Sequence, residues 1–303
     1  MVERTTPRDP ARPVLAPASH HLDARGAVLL HRRMAALIHN VSVDLRQLAR
    51  EPHNRTKTFR DLSVVGRVVH EQAVAIGVPA DWIAHAKKAG QQGRRATEAV
   101  SLPPRRPVAR SLLIAQLHHQ VDTLATLAAV RPVRRDHAAI TVQASDKLAE
   151  HLRLQWLRVA MVATALDVTE AETTGWWSLE TADWQARLDQ ISQQSAPDQG
   201  RQWRELTHVG RVREGRIRVT AMRMVGIDLA DSAPHQLPPA PHLLEIAAEN
   251  AWHTATFEPD GGVGIDAAIA ATGIEDSYGI ADGDLFDLPP PGEGAHPQRE
   301  PDF

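Results

Sequence analysis

Residues 87 to 110 carry the side chains best suited to chemistry with a charged partner. Lys87, Lys88, Arg94, Arg95, Arg105, Arg106 and Arg110 face only Glu98, a net charge of +6. Cations at that density neutralise phosphates, and six such contacts would give duplex binding a log–log salt slope of about −5. Gln91 and Gln92 add amides able to bond base edges. Just upstream, Ala73, Gly77 and Ile83 fall at the first-helix, turn and second-helix positions of a helix-turn-helix, with Ile76 and Val78 flanking the turn. Asp81 opposes that use, because a carboxylate near the front of a recognition helix repels phosphate. An ordinary helical hairpin with Trp82 and Ile83 packed inward, followed by a solvated basic loop, accounts for the same pattern.

Other constellations are weaker. His242, Glu245, Glu249 and His253 are spaced to share one helix face and could hold a divalent metal. Leu243, Leu244, Ala247, Ala248 and Ala251 lie opposite, so the four polar residues are more simply the solvent side of an amphipathic helix, paired locally as ions and hydrogen bonds. A second helix-turn-helix echo spans Ala163 to Trp177, but Asp167 stands where glycine is usual, and Glu170 and Glu172 make a poor surface for DNA. There Trp176 or Trp177 reads as core. Gly262-Val263-Gly264-Ile265-Asp266-Ala267 has dinucleotide-loop glycines without a preceding strand. Asp282, Asp284 and Asp287 resemble a calcium loop until Phe286 takes a ligand position. The adjacent pairs His20-His21 and His118-His119 point about 100° apart on a helix and do not readily share a ligand. There is no G-x-S-x-G elbow and no H-E-x-x-H helix, and no lysine after Lys147 to complete a phosphate loop. The expectation is a non-enzyme with no cofactor.

Composition narrows the class. With no cysteine among 303 residues, disulfides, thiolate zinc sites and cysteine nucleophiles are all excluded. No run of about 20 apolar residues could span a bilayer, and the proline-rich start, with Pro7, Pro10, Pro13 and Pro17, has no apolar secretion core, so a cytoplasmic address and no membrane partner are expected. From Thr254 to Phe303 the net charge is −10 against −3 for the whole chain, so a basic body is joined to an acidic tail. One tyrosine and four phenylalanines offer little base-stacking surface, which favours duplex over single strands.

Apolar residues at spacings of three and four predict the elements that must carry these groups. Helices are expected over Ala27–Leu48, Phe59–Ile76 and Ala80–Ala89, the last stopped by Gly90 and Gly93. Pro103, Pro104 and Pro107 mark 101–107 as a linker or extended strap and a subdomain boundary. A fourth helix ends at Arg131-Pro132, and a fifth over Asp136–Leu166 would be about 46 Å long. Thr169 and Glu172 form a capping-box signature for a sixth, which contains Trp176 and Trp177. Thr181–Ile191 is a seventh. Segment 200–227 fits a helix better than a hairpin around Gly215, and His242–Trp252 is the last helix.

The run Gly77-Val78-Pro79-Ala80-Asp81-Trp82-Ile83-Ala84-His85-Ala86, followed by Gly90, Gly93, Arg94 and Arg95, resembles a recurring segment in uncharacterised helical proteins of actinobacterial plasmids, prophages and integrative elements. Those proteins often have a tryptophan shortly after the arginine pair, where this chain has Ala96 and Thr97. The resemblance implies a mobile-element context and carries over no functional residue.

The expected fold is all-α. A helical hairpin with a short third helix (22–100) precedes the linker (101–107), a larger bundle around one long helix (108–253), and disordered ends (1–21 and 254–303). The leading functional expectation is an accessory protein that binds duplex DNA through Lys87, Lys88, Gln91, Gln92, Arg94, Arg95, Arg105, Arg106 and Arg110, with the acidic tail competing for that surface. The alternative is a protein-interaction or structural module, docking another protein or a second copy of itself.

Overall fold

The computed structural model describes residues 24–50, 55–93, 101–106, 108–137, 140–177 and 180–257, and among these there is no strand. Ten α-helices follow in order: α1 Ala24–Arg50, α2 Arg55–Ala75, α3 Ala80–Gln91, α4 Arg110–His137, α5 Val142–Ala165, α6 Glu170–Thr173, α7 Thr181–Ser192, α8 Ala196–Leu206, α9 Val209–Met224 and α10 Pro241–Phe257. Two 3-10 turns, Leu229–Asp231 and Pro234–Gln236, lie between α9 and α10. The all-α expectation holds. None of the helices is long and apolar enough to cross a membrane. Contacts group Met1–Thr256 into one unit and Phe257–Phe303 into a second, of which only Phe257 is described. The ends expected to be disordered, the glycine loop at 262, the aspartates at 282–287 and His20-His21 lie outside the described residues.

Two apolar clusters meet along α4 and α5. The first joins Met34 and Ile38 of α1, Val69 of α2, Ile76 of the turn after it, Trp82 and Ile83 of α3, Leu117 of α4, Met161 of α5 and Met222 of α9. The second joins Leu127 and Val133 of α4, Leu148 and Leu152 of α5, Trp184 and Leu188 of α7, Trp203 of α8 and Trp252 of α10. Segment 101–106 is an extended strap, held where Trp82 Nε1 donates to the carbonyl of Pro103 at 2.8 Å. Packing continues across it, since residues on both sides share the first cluster. The indoles of Trp156 and Trp177 tie down the irregular stretch before α10 in the same manner, donating to the carbonyls of Pro238, Pro239 and His235.

Several boundaries differ from the sequence expectation, each for a physical reason. Helix α4 runs through Pro132 to His137. Proline inside a helix costs roughly 3 kcal/mol, and burying Val130 and Val133 in the second cluster recovers about that much each. The expected 46 Å helix is therefore divided: α5 begins at Val142, where the Thr141 hydroxyl accepts from Ala144 N–H, and its 24 residues span about 36 Å. The capping box at Thr169 and Glu172 is present, but α6 ends at Thr173 because Gly175 turns left-handed at φ +79°, leaving Trp176 and Trp177 outside it. Segment 200–227 is the end of α8 followed by α9, with no hairpin. Gly90 does not stop α3. It lies buried within that helix where a Cβ would stand 2.4 Å from the carbonyl oxygen of His39, so it permits the close crossing of α3 over α1, and Gly93 at φ +90° ends the helix.

Three helix exits share one construction. Val78 N–H bonds Ala73 O, Val168 N–H bonds Ala163 O, and Ile227 N–H bonds Met222 O, closing three Schellman turns around Gly77, Asp167 and Gly226. In each, the carbonyl one residue before the left-handed position accepts from a side chain on another helix: Ile76 from His31, Leu166 from Arg110, Val225 from Arg33. Cationic or imidazole donors suit the negative end of a helix dipole.

Candidate functional site

The described residues of the basic strip are Lys87, Lys88, Arg105, Arg106 and Arg110, and they differ in what they engage. Arg110 is the first residue of α4 and is fully engaged: Nη1 donates to Leu166 O at 2.6 Å, and Nε and Nη2 hold the Glu172 carboxylate at 2.8 and 2.7 Å. Arg106 lies 3.4 Å from Asp81, and Arg105 lies close enough to His31 to lower its pKa. Lys88, Gln91, Gln92, Arg105 and Arg106 are exposed and Lys87 is half-buried, and Lys87 and Gln91 line a groove with α1 and α2. Arg94 and Arg95 lie outside the described residues.

The His242 quartet does not come together as a cluster of ligands. Glu245 pairs with Arg131 at 3.2 Å and Glu249 with Arg135 at 3.5 Å, so both carboxylates dock α10 onto α4. No cluster of three or more His, Asp or Glu side chains able to hold a metal occurs among the described residues. Leu243, expected on the buried face with Leu244, is 41 % exposed, as Ile246 is at 49 %, because the core-facing stripe is Leu244, Ala248, Ala251 and Trp252.

The feature with the form of a binding site is the groove itself. Helices α2 and α3 both pack on α1 yet scarcely touch one another, because the Gly77 turn splays them apart. The V between them is about 520 Å³. Its floor is Ile38, Val41 and Leu45 of α1, and Phe59, 40 % exposed, stands on the α2 wall. From Ile38 to Ala49 the floor is about 17 Å long, three helical turns.

The rim is cationic. Arg46, Arg67, His70 and Lys87 line it, and no Asp or Glu does among the described residues. Arg67 is already matched by Glu71 at 2.7 Å and by Glu214, in a network that includes Arg218 and fastens α2 to α9. Arg158 of α5 reaches Gln72 within the same network, and burial with Arg218 nearby brings its pKa down to about 10. Arg46 is different. Its Nη1 is buried beneath Gly93 and makes no hydrogen bond among the described residues, and Lys87 has no carboxylate partner among them. Burial, then the charge of Lys87, lowers the His70 pKa and favours its neutral form, with Nδ1 also unbonded.

Sequence reasoning named Lys87 and Gln91 but missed Arg46, Arg67, His70 and the floor. The available signal was the continuation of the α1 apolar stripe to Leu45 and the apolar Phe59 on α2, both of which the fold leaves partly exposed. Against known proteins the chain matches no family model, no curated sequence and no solved structure, so the groove has to be interpreted from its own chemistry.

Proposed function

We propose that the protein is a non-enzymatic interaction module whose α1–α2–α3 groove receives a segment of a partner protein. The observation that carries this is the open apolar V, about 520 Å³ and three turns long, with Phe59 exposed on its wall. A helix laid into such a groove buries the remaining exposed surface of Leu45 and Phe59 and completes a fourth-helix position. The polar groups that would otherwise suggest catalysis are engaged in structure: Glu172, Glu245 and Glu249 in ion pairs, His31 and His151 on main-chain carbonyls.

Selection of displayed helical peptides on the full-length protein tests the groove. Binders should be lost when Ser63→Trp or Ala49→Trp fills it, both positions lining the groove on partly exposed surface. Binders indifferent to both variants would refute the assignment.

A second reading, duplex binding by an accessory protein of a mobile element, is supported by exposed Lys88, Gln92, Arg105 and Arg106. In it the acidic tail competes with phosphate. Fluorescence anisotropy with duplex and single-stranded oligonucleotides over a salt series measures it directly. The expected result under the groove assignment is weak binding, unchanged by reversing Lys88 and Arg106. A steep salt slope, with tighter binding by a chain ending at Phe257, would favour the duplex instead.

A further inference from the structure

We infer that the groove's occupant is an acidic amphipathic helix of a partner protein, about three turns long, with carboxylates flanking its apolar stripe. The inference rests on the groove being a protein-docking site and adds the chemistry of what docks there. The lining combines an apolar floor with Arg46, Lys87, Arg67 and His70, and no acidic residue lines it among the described residues. His70 favours its neutral form, and of the three cations Arg67 is neutralised by Glu71 and Glu214. Neither Arg46 nor Lys87 pairs with an Asp or Glu among the described residues, and Arg46 Nη1 is a buried donor without an acceptor there. Nη1 itself is covered, so an incoming carboxylate would meet the partly exposed remainder of the Arg46 side chain and the Lys87 ammonium, supplying the opposite charge that no Asp or Glu lining the groove provides among the described residues.

Geometry sets the spacing. Arg46 lies on α1 and Lys87 on α3, so they sit on the floor and on the α3 wall of the same V. A helix whose apolar residues at i, i+4 and i+7 enter between Val41, Leu45 and Phe59 presents its flanking positions to the α3 wall. Carboxylates there meet Lys87, and one near the helix end meets Arg46. A basic helix would place like charges together instead, which selects against it. The hydroxyls of Ser42 and Ser63 are already bonded to Ile38 O and Phe59 O, at 2.8 and 2.7 Å, so the cations and apolar floor set the preference.

The peptide selection described above decides this when its sequences are read for charge. Enriched, groove-dependent helices should carry net negative charge on the flanks of an apolar stripe. A synthetic peptide of the enriched sequence should bind more weakly as salt rises, lose about tenfold in affinity to Lys87→Glu, and regain it when its facing Glu is changed to Lys. Lys87→Glu alters a partly exposed residue, and circular dichroism checks that its fold is kept. Groove-dependent helices without acidic bias, or with affinity indifferent to salt and to Lys87→Glu, overturn the acidic assignment while leaving the docking site intact. If no selected helix depends on the groove, both fall. Selective binding of a duplex oligonucleotide or of a saturated fatty acid at the groove, competing with the peptide library, also overturns it.

Discussion

Arg110 and Glu172, 62 residues apart in sequence, meet as a two-pronged ion pair, with Nε to Oε1 at 2.8 Å and Nη2 to Oε2 at 2.7 Å. The same arginine closes the exit of α5 by donating to Leu166 O and Asp167 O. Removing it leaves one partly buried carbonyl, one exposed carbonyl and a carboxylate without their donor. Arg110→Ala should lower stability by about 1–3 kcal/mol, measured as the urea midpoint. Arg110→Lys should recover only part of this, because an ammonium cannot span both carboxylate oxygens and the helix end.

Glu172 provides the acid limb of the same contact. The Arg110 bond, aided by the main-chain N–H of Thr169, brings its pKa from 4.5 down to about 2. As pH falls the unfolded chain takes up this proton first, so the stabilisation is complete above about pH 4.5 and is lost as pH falls toward about 2. Urea midpoints between pH 5 and pH 2.5 should drop less steeply in Glu172→Gln than in the parent. Parallel curves would show that the pair does not drive the acid limb.

Two histidines, buried His31 and half-buried His151, act at higher pH. His31 donates to Ile76 O and His151 to Leu206 O, and for both, burial is the largest influence and lowers the pKa below 6.5. Below about pH 6.5 the unfolded chain therefore binds protons that the folded chain refuses. Stability should be level above pH 7 and should decline as pH falls from 6.5 toward the lowered folded value. The double variant His31→Gln, His151→Gln should be less stable at pH 7.5 but flatter between pH 7 and pH 5, measured by thermal melts at half-unit steps.

What was legible in the sequence was what neighbours in the chain decide. The Gly77 turn, the Thr169 capping box and the apolar stripes of α1, α2 and α5 follow from local sterics and periodicity, and they fix the all-α class. Errors arose where tertiary burial overrides a local rule. Pro132 is carried inside α4 by the core around Val130 and Val133, and Gly90 is kept within α3 by the crossing at His39. The basic strip looked continuous because its carboxylate partners, Asp81 for Arg106 and Glu172 for Arg110, are 25 and 62 positions away and are brought close only by the fold. The groove was invisible for a related reason: periodicity shows that α1 has an apolar face, and only the splay of α2 from α3 shows which part stays uncovered.

The α10 carboxylates yield a ligand-addition test. Because Arg131 holds Glu245 and Arg135 holds Glu249, a divalent cation would have to displace two guanidinium groups. Millimolar zinc or manganese should leave the melting temperature unchanged in the parent. An upward shift reversed by chelator and removed by Glu245→Gln would restore the quartet as a metal site.

Gly90 and Gly200 both lie inside helices but should respond oppositely to alanine. Alanine is favoured over glycine in a helix interior by up to about 1 kcal/mol, so open space decides for gain and close packing for loss. At Gly200 the nearest atom to an added Cβ is Arg204 Nη1, the end of a flexible side chain at 3.9 Å, and Gly200→Ala should raise the melting temperature slightly. At Gly90 the Cβ would stand 2.4 Å from His39 O and 2.6 Å from Ser42 Cβ, both fixed by α1. Helix α3 must then lift from α1, and Gly90→Ala should cost about 3 kcal/mol despite its better propensity. The same displacement widens the groove at its Arg46 and Gln91 end, so peptide affinity should fall at temperatures where the variant remains folded. If Gly90→Ala melts with the parent, the close α1–α3 crossing is not what holds the floor and the α3 wall of the groove in register.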